Sequence, residues 1–193
     1  MKDVFVEDKT FDKENFNESP LSKGDYQNCI FKNCNLSQSD LSEIKFEDCS
    51  FINSNLGLAT IVKTAFRNVK FNGCKMLGLR FDQCNALGLN FNFENCILNH
   101  STFYRLKIKK TPFRSSQLLD TDFSECDLTK SIFDNCDLTN ATFENTNLEE
   151  ADFRTSYNFR IDPTINRMKK SKFSLAGVVG LVEKFGIQID GLN

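Results

Sequence analysis

Large apolar residues recur at every fifth position of this chain, from Phe11 through Phe16, Leu21, Tyr26, Phe31, Leu36, Leu41, Phe46 and Phe51 to Phe91. Of the seventeen positions in that register, only Ala86 is small. The register then slips by two residues and resumes at Phe93, running through Leu98, Phe103, Ile108 and Phe113 to Phe153 without a polar residue. An amphipathic helix repeats at about 3.6 residues and a half-buried strand at about 2. A period of five fits neither, so the chain reads as an array of short identical units. Two residues before each large position stands a second, mostly small one, such as Cys29, Cys34, Ser54, Cys74, Thr121 and Cys126. The residue between them is often Asp or Asn, as in Cys126-Asp127-Leu128 and Ala151-Asp152-Phe153.

This pattern, small-(Asp/Asn)-(Leu/Phe)-x-x over roughly residues 9–155, resembles the pentapeptide repeat family. The resemblance implies an all-β fold, a right-handed quadrilateral parallel β-helix with four pentapeptides per coil, one on each side. It also implies a superperiod of twenty residues. Phe11, Phe31, Phe51, Phe71 and Phe91, followed by Phe113, Phe133 and Phe153, then form one side. On that reading the two extra residues near Leu89–Phe93 make a local bulge on one side, and Ala86 leaves a narrow spot in the core. The expected organisation is an N-terminal cap over 1–8, the solenoid over 9–173, and a C-terminal helix and strand over 174–193.

Composition acquires meaning through this geometry. Sixteen of the 20 Phe residues lie in the two registers, and all 8 cysteines occupy the small position. Their spacing is repeat spacing, not that of a zinc site. The cysteines are therefore read as small buried side chains kept reduced, which points to the cytoplasm. The single histidine, His100, leaves no Ser–His–acid set. Gly73, Gly78 and Gly88 fall at one repeat phase and read as turn residues. A convex prism with outward carboxylates and no cleft is expected to be non-enzymatic, with no metal and no cofactor. No apolar stretch approaches 18 residues, so no membrane-spanning helix is expected. The near-neutral net charge of −2 argues against direct nucleic-acid binding.

That net charge conceals a segregation. Residues 1–60 carry 6 Lys/Arg and 11 Asp/Glu, residues 61–114 carry 10 and 2, residues 115–153 carry 1 and 10, and residues 154–193 carry 7 and 3. In the basic stretch even the usual Asp/Asn position holds Lys70, Lys75, Arg80 and Lys107. The acidic stretch supplies the candidate partner-binding surface: Asp120, Asp122, Glu125, Asp127, Asp134, Asp137, Glu144, Glu149, Glu150 and Asp152.

Beyond Phe153 the register survives at Met168 and Phe173. Ser174 then offers an N-cap for a short helix to Phe185, Gly186 a terminator, and Ile187–Asp190 a short strand. Its apolar residues Leu175, Val178, Val179, Leu181, Val182, Phe185, Ile187 and Ile189 exceed what a lid needs, and predict a homodimer contact. The segment Lys75–Phe91 is similar to the Qnr quinolone-resistance proteins. So is the tail, with Ile161-Asp162-Pro163, Asn166, Lys169-Lys170 and Lys172-Phe173-Ser174-Leu175, which matches the loopless Qnr-like type. That resemblance implies a rod-shaped dimer that binds bacterial type II topoisomerase (DNA gyrase or topoisomerase IV) by imitating duplex DNA. Such binding modulates the enzyme or protects it from quinolones or peptide poisons. The alternative is a generic scaffold of the same fold with a different partner.

Overall fold

The structure is a computed structural model and describes residues 4–188. Short parallel strands stack in register along one axis. On one side of the square, seven strands follow one another: β2 (Thr10–Asp12), β4 (Ile30–Lys32), β6 (Ser50–Ile52), β8 (Val69–Asn72), β9 (Phe91–Glu94), β10 (Pro112–Arg114) and β11 (Ile132–Asp134). We call this the first side. The fourth side begins with β1 (Val4–Glu7), β3 (Gly24–Gln27), β5 (Lys45–Glu47) and β7 (Ala65–Arg67). The second and third sides are held by single parallel bridges, such as Asn15↔Asn35↔Asn55↔Lys75 and Arg80↔Thr102↔Asp122↔Thr142. The all-β quadrilateral solenoid is thus the observed fold, and the stretch expected as an N-terminal cap contributes its first strand.

The period of five has a backbone cause. Each side is extended and each corner is a sharp turn, so a residue with positive φ recurs every five positions, for example Asn28, Asn33, Gln38, Glu43 and Asp48. Asn tolerates this left-handed region, and glycine has no Cβ to clash in it. Gly73, Gly78 and Gly88 sit at that phase with φ of 66, 66 and 75°. Leu58 occupies the same phase with φ 58° and is 61% exposed. Leu58→Asn is therefore expected to stabilise the protein by about 1 kcal/mol. In a chain of this length that raises the melting temperature by about 2–4 °C, readable by calorimetry. An unchanged or lower value would contradict the strain assigned to this corner.

The large residues fill the axis. Phe31 and Phe51 stack with centroids 4.7 Å apart, Phe113 and Phe133 at 4.9 Å, Phe133 and Phe153 at 4.6 Å. Neighbouring sides meet edge-to-face, as Phe113 and Phe123 do at 80°. Stacked and edge-to-face rings are the favourable arrangements of the ring quadrupole. Each such Phe contributes roughly 1.5–3 kcal/mol by burial.

The two-residue slip differs from the sequence expectation in two ways. Phe93, not Phe91, continues the ladder of the first side, lying 5.3 Å from Phe71 at 10°. Ala86 does not line the core. The chain bulges outward over Asn85–Asn90 on the fourth side and leaves Ala86 exposed. Phe91 occupies the slot two residues before Phe93 and pairs with Val69 below. Its ring reaches 5.7 Å from Phe66 and 5.3 Å from Phe81, filling the space that the bulge vacates.

At the C-terminus, Phe173 stacks on Phe153 at 5.3 Å, and Phe159 packs against both. Ser174 Oγ accepts the N–H of Gly177 as the expected cap. The helical segment consists of 3-10 turns at Ala176–Val178 and Glu183–Phe185 around the single-turn α1 (Val179–Val182), and Gly186 ends it with φ 62°. Gly180 permits its seating, because a Cβ there would stand 2.1 Å from the Phe159 carbonyl oxygen. Ile187 and Gln188 are not in a strand, and Ile189 and Asp190 lie outside the described residues.

Candidate functional site

The second inward position is chemically more specific than its size suggests. Cys34, Cys126 and Cys136 donate to the carbonyls of Phe11, Phe103 and Phe113 in the coil below, at 3.4, 2.7 and 3.4 Å. Ser54 and Thr64 do the same to Phe31 and Leu41. The link always spans 23 residues, or 25 across the bulge, as from Cys96 to Phe71. At these corners a carbonyl is left that the buried S–H or O–H satisfies. Cys is thus a donor as well as a small apolar side chain, which reading by size alone missed. Size is not the limit either, because Ile44, Leu79 and Leu106 fill the same slot and are buried.

Burial pushes the thiols of Cys49, Cys126 and Cys136 up to about 12, and that of Cys84 upward as well. At pH 8 only about one in 10,000 such thiols is ionised. All eight cysteines are free and buried. They are expected not to react with Ellman's reagent in the native protein at pH 8, and to react fully in denaturant. Rapid native titration of any of them would overturn this. Among the described residues, no group of three or more His, Cys, Asp or Glu side chains is arranged to hold a metal ion. No described helix is long and apolar enough to cross a membrane.

The Asp/Asn position also has a structural task. Its side-chain oxygen accepts the N–H two residues on: Asn35 from Ser37, Asp122 from Ser124, Asp127 from Thr129, Asp137 from Thr139. This is the Asx turn. Asn performs it as well as Asp, so the carboxylates at this position add charge the fold does not need.

The ten candidate carboxylates ring the rod and do not share one face. Six face a basic group: Asp120 with His100, Glu125 with Arg105, Asp127 with Lys109, Glu149 with Arg167, Glu150 with Lys130, and Asp152 with Arg154 and Lys172. The remaining four, Asp122, Asp134, Asp137 and Glu144, have no cation within 4.0 Å among the described residues. Cations crowd the fourth side and its corners, where Arg105, Lys109, Lys130 and Arg167 neutralise the adjoining acids. Hydrogen bonds from Arg105 and then Tyr104 hold the Glu125 carboxyl below its ordinary value. Burial would raise Asp127 and Asp137. Bonds from Thr129 and Lys109, and from Thr139 and Asn158, outweigh it and hold both below theirs.

The second and third sides differ. Residues 115–125 and 135–145, which form these sides in two successive coils, contain no Lys or Arg. Asp120, Asp122, Asp137 and Glu144 lie there, with successive coils about 4.8 Å apart. His100 is the one basic side chain within 4.0 Å of Asp120 among the described residues. Among the described residues none of these four carboxylates has a Lys or Arg within 4.0 Å.

A recess interrupts the prism, contrary to the cleft-free expectation. It is a cleft of ≈ 630 Å³ at the C-terminal end of the third side, lined by Ala141, Phe143, Glu144, Ile161, Leu181 and Lys184 among others. Arg160–Glu183 and Asp162–Lys184 ion pairs stand in its walls. The dimer candidates Leu175, Val178, Val179, Phe185 and Ile187 are exposed, Leu175 at 83%, while Leu181 and Val182 are half-buried. Ile189 lies outside the described residues.

The family model described as pentapeptide repeat region matches residues 24–92 and 79–153. No curated protein matches the sequence. Among solved structures, a trypsin-treated variant of QnrB1, a plasmid-mediated fluoroquinolone resistance protein, is similar with TM-score 0.63 and 15% identity. The match covers 98% of this chain and 100% of that one. Full-length QnrB1 gives TM-score 0.61 and 16% identity over 95% and 100% of the two chains. HetL, a pentapeptide repeat protein of a Nostoc cyanobacterium involved in heterocyst differentiation regulation, gives 0.47 and 13% over 91% and 86%. At these identities the QnrB1 likenesses show a shared fold.

Proposed function

This chain belongs to the pentapeptide repeat family, and on that premise we propose that it is a non-enzymatic protein that binds bacterial type II topoisomerase, DNA gyrase or topoisomerase IV, in place of duplex DNA. The observation that carries the reading is the pair of adjacent sides on which Asp120, Asp122, Asp137 and Glu144 stand with no Lys or Arg within 4.0 Å among the described residues. Rows of carboxylates on a stiff rod offer a basic groove what phosphates on a duplex offer it, at the cost of no flexible arm. The remaining acids contribute at the rim, where their cations already screen them. Binding of this kind modulates the topoisomerase or shields it from quinolones and peptide poisons. Supercoiling and cleavage assays with purified gyrase and topoisomerase IV, with and without ciprofloxacin, test it. A concentration-dependent change in either activity is expected. Unaltered activity of both enzymes at micromolar protein would refute the reading.

The second reading, a scaffold for another partner, is favoured by the basic coils over 61–114. Their Lys107 and Lys110 have no acidic partner among the described residues, and such coils do not imitate DNA.

In the proposed reading the rod is a homodimer joined through the apolar helical segment. Leu175, Val178, Val179 and Phe185 present a larger apolar area to solvent than a capping lid requires. Val179→Asp with Phe185→Asp is expected to halve the mass measured by light scattering. A mass unchanged by the double substitution would eliminate this contact.

A further inference from the structure

Opposite the acidic second side, the rod carries the reverse charge. In its C-terminal half the fourth side is built from residues 107–111, 127–131, 147–151 and 167–171, stacked through the bridges Lys107↔Asp127↔Asn147↔Arg167. These residues include seven Lys or Arg and three Asp or Glu, and all seven cations are exposed. Each acid already has one cation within 4.0 Å: Asp127 has Lys109, Glu149 has Arg167 and Glu150 has Lys130. The surplus is arranged in two rows. Lys107, Lys109 and Lys110 form one, and Arg167, Lys169 and Lys170 form the other. The backbone fixes both, with Lys107 and Arg167 in bridges and Lys110 and Lys170 at corners with φ of 59 and 62°. Three coil spacings separate the rows, about 14 Å at about 4.8 Å each.

The outward positions of this face hold only Lys, Arg, Asp, Glu, Asn and Thr. The large apolar residues of the same coils, Ile108, Leu128, Leu148 and Met168, pack into the core. A binder of single strands uses outward aromatic side chains on which bases stack. A membrane-surface face uses apolar side chains that enter the lipid boundary. This face offers neither among the described residues. It suits a stiff polyanion with two charged strands, and the major groove of duplex DNA, about 12 Å wide, matches the separation of the rows.

We propose that the fourth side of the C-terminal coils binds the phosphate backbone of duplex DNA, with the Lys107–Lys110 row on one strand and the Arg167–Lys170 row on the other across a groove. Contacts to phosphate hold the duplex without selecting its sequence. The net charge of −2 averages this face with the acidic sides and so conceals it. The site is separate from the topoisomerase reading, which uses the second and third sides, and its test contains no topoisomerase, so either can fail alone.

Fluorescence anisotropy of a short labelled duplex, titrated with the full chain between about 50 and 200 mM salt, tests this. Binding is expected, with log K falling against log salt at a slope of about −3.6, the value for four phosphate contacts. Lys107→Gln, Lys110→Gln, Lys169→Gln and Lys170→Gln together are expected to weaken it about 30-fold or more at the lowest salt. Gln38 already stands at the corner phase with φ 56°, so these substitutions keep the turns. An unchanged melting temperature reports that the fold is intact. Glu149→Gln with Glu150→Gln removes the acids between the rows and is expected to tighten binding about threefold, which a damaged fold would not do. Absence of binding at the lowest salt, or equal binding by the quadruple variant, overturns the proposal. Tighter binding to a single strand of the same sequence, or to phosphatidylglycerol vesicles, than to the duplex also overturns it. So does association of rods without DNA, seen by light scattering and abolished in the quadruple variant, because the face then meets the acidic sides of a second copy.

Discussion

Phe91→Ala is expected to lower the stability of the rod by about 3–5 kcal/mol, more than any other single truncation at the bulge. Phe91 stands where neighbouring coils carry a small side chain, and its ring lies within 5.7 Å of the Phe66, Phe81 and Phe93 centroids. Its removal leaves a void that the bulge cannot close, because the backbone over Asn85–Asn90 is directed outward. Cavity cost then adds to lost transfer energy. The solenoid is stabilised by nearest-neighbour stacking, so the loss falls on one interface between coils. Urea unfolding followed by circular dichroism measures the effect, with Phe91→Leu, a smaller truncation, expected to cost less than Phe91→Ala. A loss below about 1 kcal/mol for the alanine variant would show that Phe91 is not the plug of the bulge. Ala86→Ser, at an exposed position, is expected to change stability by less than about 0.5 kcal/mol.

Neutralising Asp120, Asp122, Asp137 and Glu144 together, as Asn, Asn, Asn and Gln, is expected to weaken any effect on gyrase supercoiling about 100-fold. Removal of four uncompensated charges from two adjacent sides takes away most of the field those sides project. The amide substitutions keep the turns, since Asn accepts from the N–H two residues on as Asp does. Loss of activity is thereby separated from loss of fold. Glu125→Gln, Glu149→Gln and Glu150→Gln form the matched control. Each of those acids already has a cation partner on the fourth side or its corners, and the triple change is expected to cost less than about threefold. The contrast should shrink as salt rises, because exposed charges are screened over about 8 Å at physiological ionic strength. An equal effect of the two sets would remove the second and third sides as the contact surface. No effect of either would remove the DNA-mimic mechanism altogether.

How much was legible beforehand depends on the range of the interaction. The period of five, the Phe ladder and the burial of all eight cysteines could be read from spacing, because each coil repeats the same local contacts. The identity of the ladder residue at the slip could not. Phe91 and Phe93 both satisfy the pattern, and only the register with Val69 and Phe71 assigns one to the slot and the other to the ladder. Ala86 looked like a weak point in the core, but the bulge takes it out of the core. The candidate acids could be listed from charge, yet not divided. A sequence does not show that Arg105 lies beside Glu125 one coil away, or that Glu144 has no cation within 4.0 Å among the described residues. The end of the third-side column at Thr142 could not be seen either, since it arises where the described chain leaves the square.

The architecture follows from the amino-acid pattern alone, because in a solenoid nearly every stabilising contact is copied from one coil to the next and so appears as a period. What breaks the period is decided by contacts between coils: which aromatic plugs the bulge, and which carboxylates have no Lys or Arg beside them among the described residues. Those features depend on residues about twenty positions apart meeting across one coil spacing, and on the single places where they do not.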